Sequence, residues 1–265
     1  MRNGSRSWRL LSSYFHGFLS LMNKASRYLF LQLNPRAEKN NLFHNLNSLE
    51  MERSLMEQIY FLAGLGTEQD DVLPLADACE RRGLKLVYLD LPGQNSNCKE
   101  TISSAEELRI WIKRKVPVNS KIVAFSLGAD FTAGFLEDLS LSHAVLLDGA
   151  ILTLEDIDSD LATEVEVAES FIIENNLEMD VATVQNLLRI REEIRREIWH
   201  EHTKTQVLML ICDSYPQIFI RKKERLVHSR NMNFQSAIVE NSTHQIFVGQ
   251  PEKVAELITQ FFQTS

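Results

Sequence analysis

Short apolar runs alternating with helical stretches constrain this chain most. Residues 59–63, 84–89, 121–125 and 143–148 each read as a strand. Helical spacing runs through 70–82, with Val72, Leu75, Ala76 and Cys79 on one face and Gly83 placed to end it, and again through 103–115. Strands that alternate with helices imply a parallel sheet covered on both faces, because each crossover lays a helix against the sheet. The fold class expected is therefore α/β. At 265 residues the chain is long enough to bury one full core with an insertion.

The third of these strands runs into Ala124-Phe125-Ser126-Leu127-Gly128-Ala129. A strand that hands over sharply to a helix, with a serine at the apex and small residues two before and two after it, has the form of a nucleophile elbow. The usual form is G-x-S-x-G, and Ala124 stands at the first glycine. Residues 129–139 continue at helical spacing. Upstream, Ile59-Tyr60-Phe61-Leu62-Ala63-Gly64-Leu65-Gly66 is a strand entering a glycine-rich loop, and the strand at 84–89 ends in Asp90-Leu91-Pro92-Gly93. Downstream, Asn241-Ser242-Thr243-His244 precedes Gln250-Pro251-Glu252-Lys253-Val254 and an amphipathic helix.

This series, in this order, resembles the α/β-hydrolase superfamily from about Asn41 to Phe262. The resemblance implies a mostly parallel central sheet flanked by helices, with a helical cap inserted between two parts of the core. It divides the chain into a basic, apolar N-terminal helical arm (1–37), a first core segment (38–150), the cap (151–203) and a second core segment (204–265). A hairpin over Leu42–Ser54 would enter the sheet, and a last strand would run over Asn233–Val239. The activity implied is that of a serine esterase or thioesterase, working through an acyl-enzyme on a small acyl substrate, with no metal, flavin or nucleotide cofactor.

By position in that pattern Ser126 is the nucleophile and His244 the base that takes its proton. Backbone N–H groups of Leu65 and Leu127 would form the oxyanion hole; Ala63 replaces the histidine that usually precedes the loop glycine. The acid is less plainly marked. Thr205–Tyr215 matches the strand that ordinarily ends Gly-x-x-Asp, but Cys212 takes the glycine and Tyr215 the acid. Asp213, two residues early, is the preferred candidate. Asp148, at the end of the preceding strand, is the alternative, and the absence of a working acid is the third. A rival to the enzyme reading is a relative that has lost activity and binds a ligand or partner in the same pocket. Acyl transfer or lyase chemistry on the same fold is a further alternative.

Net charge of −8 argues against a nucleic-acid binder. Cys79, Cys98 and Cys212 are odd in number, widely spaced and without metal-ligand spacing, which points to a reducing, cytoplasmic setting rather than a disulfide framework. Residues before Glu38 include Arg2, Arg6, Arg9, Lys24, Arg27 and Arg36 and no acid, with Trp8, Leu11, Phe15, Phe18, Met22, Ala25 and Leu29 on one helical stripe. Such a helix suits docking on the body, contact with a membrane surface or organelle targeting. It is too interrupted to span a bilayer.

Within 152–203 the spacing of Val184, Leu187, Leu188, Arg191, Ile194 and Ile198 is helical. Asp156, Asp158 and Asp160 imitate the start of a calcium loop, but Leu161 and Val167 stand where glycine and glutamate are required. His200 and His202 point apart on a helix and make no metal pair.

Overall fold

A computed structural model describes residues 56–194, 203–226 and 232–263, within the compact unit Gln58–Ser265 and the first strand that enters it. The N-terminal arm, the hairpin at 42–54 and the histidines at 16, 44, 200, 202 and 228 lie outside the described residues.

Among the described residues six strands form one sheet: β1 (Glu57–Leu62), β2 (Leu84–Leu89), β3 (Lys121–Phe125), β4 (His143–Leu147), β5 (Gln206–Cys212) and β6 (Phe234–Val239), in the spatial order β2-β1-β3-β4-β5-β6. The pairs β1–β3, β3–β4, β4–β5 and β5–β6 are all parallel. The reversal of order beside β1 and β3 is a topological switch point, where open α/β sheets place their sites beyond the carboxyl ends of the strands.

Burial follows position in the sheet. Every residue of β4 is buried, as are the last four of β3, while β6 at the edge keeps only Val239 fully covered. Alternate side chains feed two cores, as the two-residue period of a strand demands. Ile122, Ala124, Ala144, Leu146, Val207 and Met209 join one, against helices α2 (Ala105–Lys115) and α3 (Leu127–Gly134). Val123, Phe125, Val145, Leu147, Leu208 and Leu210 join the other. That second face is covered by α1 (Gln69–Glu80) and the C-terminal α9 (Pro251–Gln263), through Val72, Leu75, Val254, Ile258 and Phe262.

Helix limits have local causes. Ser104 accepts from the Glu107 N–H ahead of α2, whose first turn is acidic and last turn basic, matching the helix dipole. Gly83, at φ 81°, follows α1 in a left-handed conformation that L side chains rarely adopt. Between β3 and β4, the short α4 (Leu136–Leu139) follows α3.

The insertion contains a 3₁₀ turn at Glu155–Ile157 and helices α5 (Leu161–Glu174) and α6 (Val181–Glu193), capped by Asp160 and Asp180. The two helices share a small apolar cluster of Ala168, Ile172, Val184 and Leu188. Backbone bonds from Asn95 N–H to Glu178 O (3.0 Å) and from Asp180 N–H to Gly93 O (2.8 Å) tie the insertion to the loop after β2. Arg191 adds a buried ion pair to Asp130 on α3 at 2.9 Å. The three aspartates that imitate a calcium loop are each engaged elsewhere. Asp156 accepts from Arg225 and the Thr153 N–H, Asp158 pairs with Arg221, and Asp160 is the cap of α5.

Helix α7 (Pro216–Leu226), after β5, was not among the elements expected from the sequence. A second short helix, α8 (Ile246–Gly249), precedes α9. Among the described residues, no helix is long and apolar enough to cross a membrane.

Candidate active site

Ser126 lies between β3 and α3 with φ 51° and ψ −118°, a region that a non-glycine residue occupies only when its surroundings impose it. The surroundings do so on three sides. Ser126 N–H donates to Leu147 O (3.0 Å), and its own carbonyl accepts from Asp130 N–H (3.0 Å) as α3 begins. Three glycines then let backbone crowd the turn. A Cβ on Gly149 would fall 2.3 Å from Ser126 O, and one on Gly128 would fall 2.5 Å from both Leu62 O and Ala63 O. On Gly64 it would meet the Ser126 Cβ at 2.9 Å. The alanine at the first small position is tolerated because Ala124 points into the core beneath α3, fully buried.

His244 follows β6 on a loop held at both ends. Ser242 Oγ–H donates to Val239 O, and Ile246 N–H donates to His244 O at 3.0 Å. The imidazole lies against the Phe125 ring, with centroids 4.9 Å apart. Its Nε2 is 3.0 Å from Ser126 Oγ, and its Nδ1 is 2.7 Å from Asp148 Oδ2. A carboxylate only accepts, so Nδ1 carries the proton and Nε2 is left with a lone pair facing the serine hydroxyl.

The carboxylate behind His244 is therefore that of Asp148, and the preference for Asp213 is corrected. Asp148 stands one residue beyond β4 with φ 50°, its N–H donating to Leu210 O (2.8 Å). Its side chain is fully buried. Oδ1 accepts from Cys212 N–H (2.9 Å) and from Lys222 Nζ (2.7 Å), and the Cys212 thiol lies 3.2 Å from Oδ2. Burial alone would push this carboxyl up. The Lys222 ammonium and the hydrogen bond and charge of His244 outweigh it, and hold it down at about 2. The Cys212 thiol goes the other way, to about 12, because it is buried beside that same charge.

Asp213 faces elsewhere. Its carboxylate accepts from the N–H groups of Asn241 (2.8 Å) and Ser242 (3.0 Å), and these bonds draw it below the usual carboxylate range. It is a staple on the histidine loop. Tyr215, which occupies the acid position of the family pattern, has φ 58° and accepts from Phe219 N–H through its carbonyl as α7 starts.

The remaining expected positions fall around the elbow. Leu127 is the first residue of α3, and Leu65 follows Gly64, whose backbone lies against Ser126. Gln94 fastens that loop by accepting from Gly66 N–H at 2.8 Å. His143 is at the opposite end of β4, packed edge-on to Phe261 and Phe262. Among the described residues there is no group of three or more His, Cys, Asp or Glu placed to hold a metal.

Lys222 is the site neighbour that sequence reasoning missed. On α7 it shares a stripe with Phe219 and Leu226, both packed on the core. A lysine on an apolar stripe was the available signal, hidden because that segment was not read as a helix.

No family model matches the chain, and no curated protein matches it by sequence. Solved structures do. A bromoperoxidase from Bacillus anthracis is 12% identical, with TM-score 0.61 over 78% of this chain and 92% of its own. A lipase-esterase related protein from Clostridium acetobutylicum is 16% identical, with TM-score 0.59 over 79% and 96%. The RedJ thioesterase of Streptomyces coelicolor is 12% identical, with TM-score 0.55 over 90% and 100%. At such identities the likeness speaks for the fold.

Proposed function

We propose that this chain, which has the α/β-hydrolase fold, is a serine hydrolase that cleaves an ester, thioester or related acyl bond through an acyl-enzyme. The observation that carries the reading is the continuous contact from Asp148 through His244 to Ser126, at 2.7 and 3.0 Å. A serine hydroxyl is a weak nucleophile until a base takes its proton. Here His244 Nε2 is the base, and Asp148 fixes the tautomer and stabilises the imidazolium that forms.

In acylation, Ser126 Oγ bonds to the acyl carbon while its proton passes to His244. The tetrahedral oxyanion is received by the N–H groups of Leu127 and Leu65. Collapse breaks the bond to the leaving group, which departs with the proton from His244. Water then gives a proton to His244 and its oxygen to the acyl carbon, and Ser126 leaves protonated. This chemistry uses only side chains and backbone, so it calls for no cofactor.

An apolar acyl group suits the entrance. Gly66 on the loop beside the elbow is covered by Phe171 of α5, which a Cβ there would meet at 3.0 Å, and by Met179. Leu65 packs against the apolar cluster of the insertion. Esterase and thioesterase are the names borne by some structural neighbours, and the same reaction class is proposed for this chain.

The test is labelling by a fluorophosphonate probe, which phosphonylates only an activated serine. Wild-type protein is expected to label, and Ser126→Ala and His244→Ala are not. A folded wild-type protein that fails to label would sink the hydrolase reading and favour a ligand-binding role for the same pocket. With labelling established, turnover across esters and thioesters of increasing chain length would define the acyl group.

A further inference from the structure

Asp148 has a partner on each of its two oxygens, one of them permanently charged. One is His244, at Oδ2, and the other is Lys222, at Oδ1, 2.7 Å away and 3% exposed. The orienting carboxylate described above needs only the first. A buried ammonium is costly, and burying one demands a counter-charge and good geometry. Its presence directly behind the triad therefore has a consequence for the base.

In a Ser-His-Asp arrangement the carboxylate stabilises the imidazolium, so it raises the proton affinity of the histidine. A permanent positive charge on the same carboxylate opposes that. We propose that Lys222 is a positioning residue that clamps Asp148 through Oδ1 and offsets its charge, so that Asp148 stabilises the imidazolium formed on His244 less than an unpaired carboxylate would. The inference rests on the serine-hydrolase reading for its meaning in catalysis, but its electrostatic content is independent of turnover.

Among the described residues, the other groups around the carboxylate do not supply this effect. The Cys212 thiol is held protonated by burial and by Asp148, and is neutral. Tyr215 is pushed up, by burial first and also by the Asp148 charge, and is neutral too. Asp213 is bound to the N–H groups of Asn241 and Ser242. On α7 itself, Arg221 and Arg225 reach to Asp158 and Asp156, and Lys223 lies over the Phe219 ring. Of the helix cations, Lys222 is the one in contact with the Asp148 carboxylate.

Both arms of the experiment use the full chain. The His244 imidazole is titrated by ¹⁵N NMR in histidine-labelled protein, its signal identified by its loss in His244→Gln. The pH dependence of fluorophosphonate labelling is followed in parallel. Lys222→Met is expected to raise the imidazole midpoint by about one pH unit, the scale of a lost charge at short range. The acid limb of labelling should move with it, so that labelling on that limb falls roughly tenfold. Lys222→Gln, which keeps a donor without the charge, should raise the midpoint as well. Lys222→Arg should restore it to near the wild-type value, and Lys223→Met should leave it unmoved.

A midpoint unchanged in folded Lys222→Met or Lys222→Gln would overturn the proposal. So would failure of both neutral variants to fold while Lys222→Arg folds, which would assign the lysine to structure alone. If wild type does not label yet the midpoint rises as expected, the hydrolase reading fails while the electrostatic coupling stands.

Discussion

The carboxyl ends of β4 and β5 are adjacent in the sheet, each is followed by an aspartate, and the two aspartates do opposite things. Asp148 is fully buried, grips a histidine, a lysine and a backbone amide, and stands behind the serine. Asp213 is half-buried and holds two backbone N–H groups of the histidine loop. One carboxylate sets which way the imidazole faces, and the other sets where its loop sits. The difference teaches that an acid near a strand end is defined by what its oxygens can reach, and by how much water is excluded there.

The largest break of the comparison is in rate. Asp148→Asn should slow fluorophosphonate labelling by about 10⁴, because the imidazole loses both its orientation and the charge that stabilises its protonated form. Asp213→Asn should slow it only roughly fivefold, as expected when a loop loses about one hydrogen bond's worth of positioning. Equal losses in stopped-flow labelling would mean that the contact chain observed here is not the working one.

Stability should separate the pair next. Asp148→Asn breaks the buried pair with the Lys222 ammonium, and breaking such a pair by removing one partner ordinarily costs about 3–5 kcal/mol. Adding Lys222→Met to that variant should recover part of the loss, since it removes the other charge of the broken pair. Urea unfolding of the single and double variants would read both. If the double variant is no more stable than Asp148→Asn, the ion pair is not what holds the carboxylate in place.

The smallest effect is in acid. A carboxyl whose folded value is depressed contributes stability that is complete above its unfolded value and is lost as pH falls through the folded one. For Asp148 that window runs from about 4, the unfolded reference, down to about 2. The urea midpoint of wild type should therefore fall from about pH 4 to about pH 2 more steeply than that of Asp148→Asn. Parallel slopes would show that Asp148 is not strongly depressed. Asp213→Asn, which removes a weaker and more exposed set of bonds, should flatten the slope less.

Much of this molecule was legible along the chain. Residues 121–125, an apolar run followed by small-x-Ser-x-small, are β3 and its elbow as expected, since a strained serine needs crowding that only small neighbours permit. Residues 84–89 are β2 with the expected limits, and the central sheet is parallel in the four pairs given above. Helix α7 was missed because its sequence, Pro216-Gln-Ile-Phe-Ile-Arg-Lys-Lys-Glu-Arg-Leu226, reads as a short cationic segment until Phe219, Lys222 and Leu226 are seen to share one face. With α7 unread, the buried lysine had no place either.

The histidine partner of Ser126 was named from its position after the last strand, and its ring does face the serine. The partner of that histidine was misplaced for a physical reason. Turn chemistry and side-chain periodicity are properties of a few consecutive residues, so the strands followed from spacing, and the elbow at Ser126 from spacing together with the resemblance to the hydrolase pattern. Which of two aspartates reaches the imidazole depends on lateral register, here Leu147 beside Leu210, and on a helix that brings a cation in from 74 residues away. Those are relations between segments remote in the chain. Only the packed sheet brings them within hydrogen-bond reach and excludes the water that would otherwise weaken them.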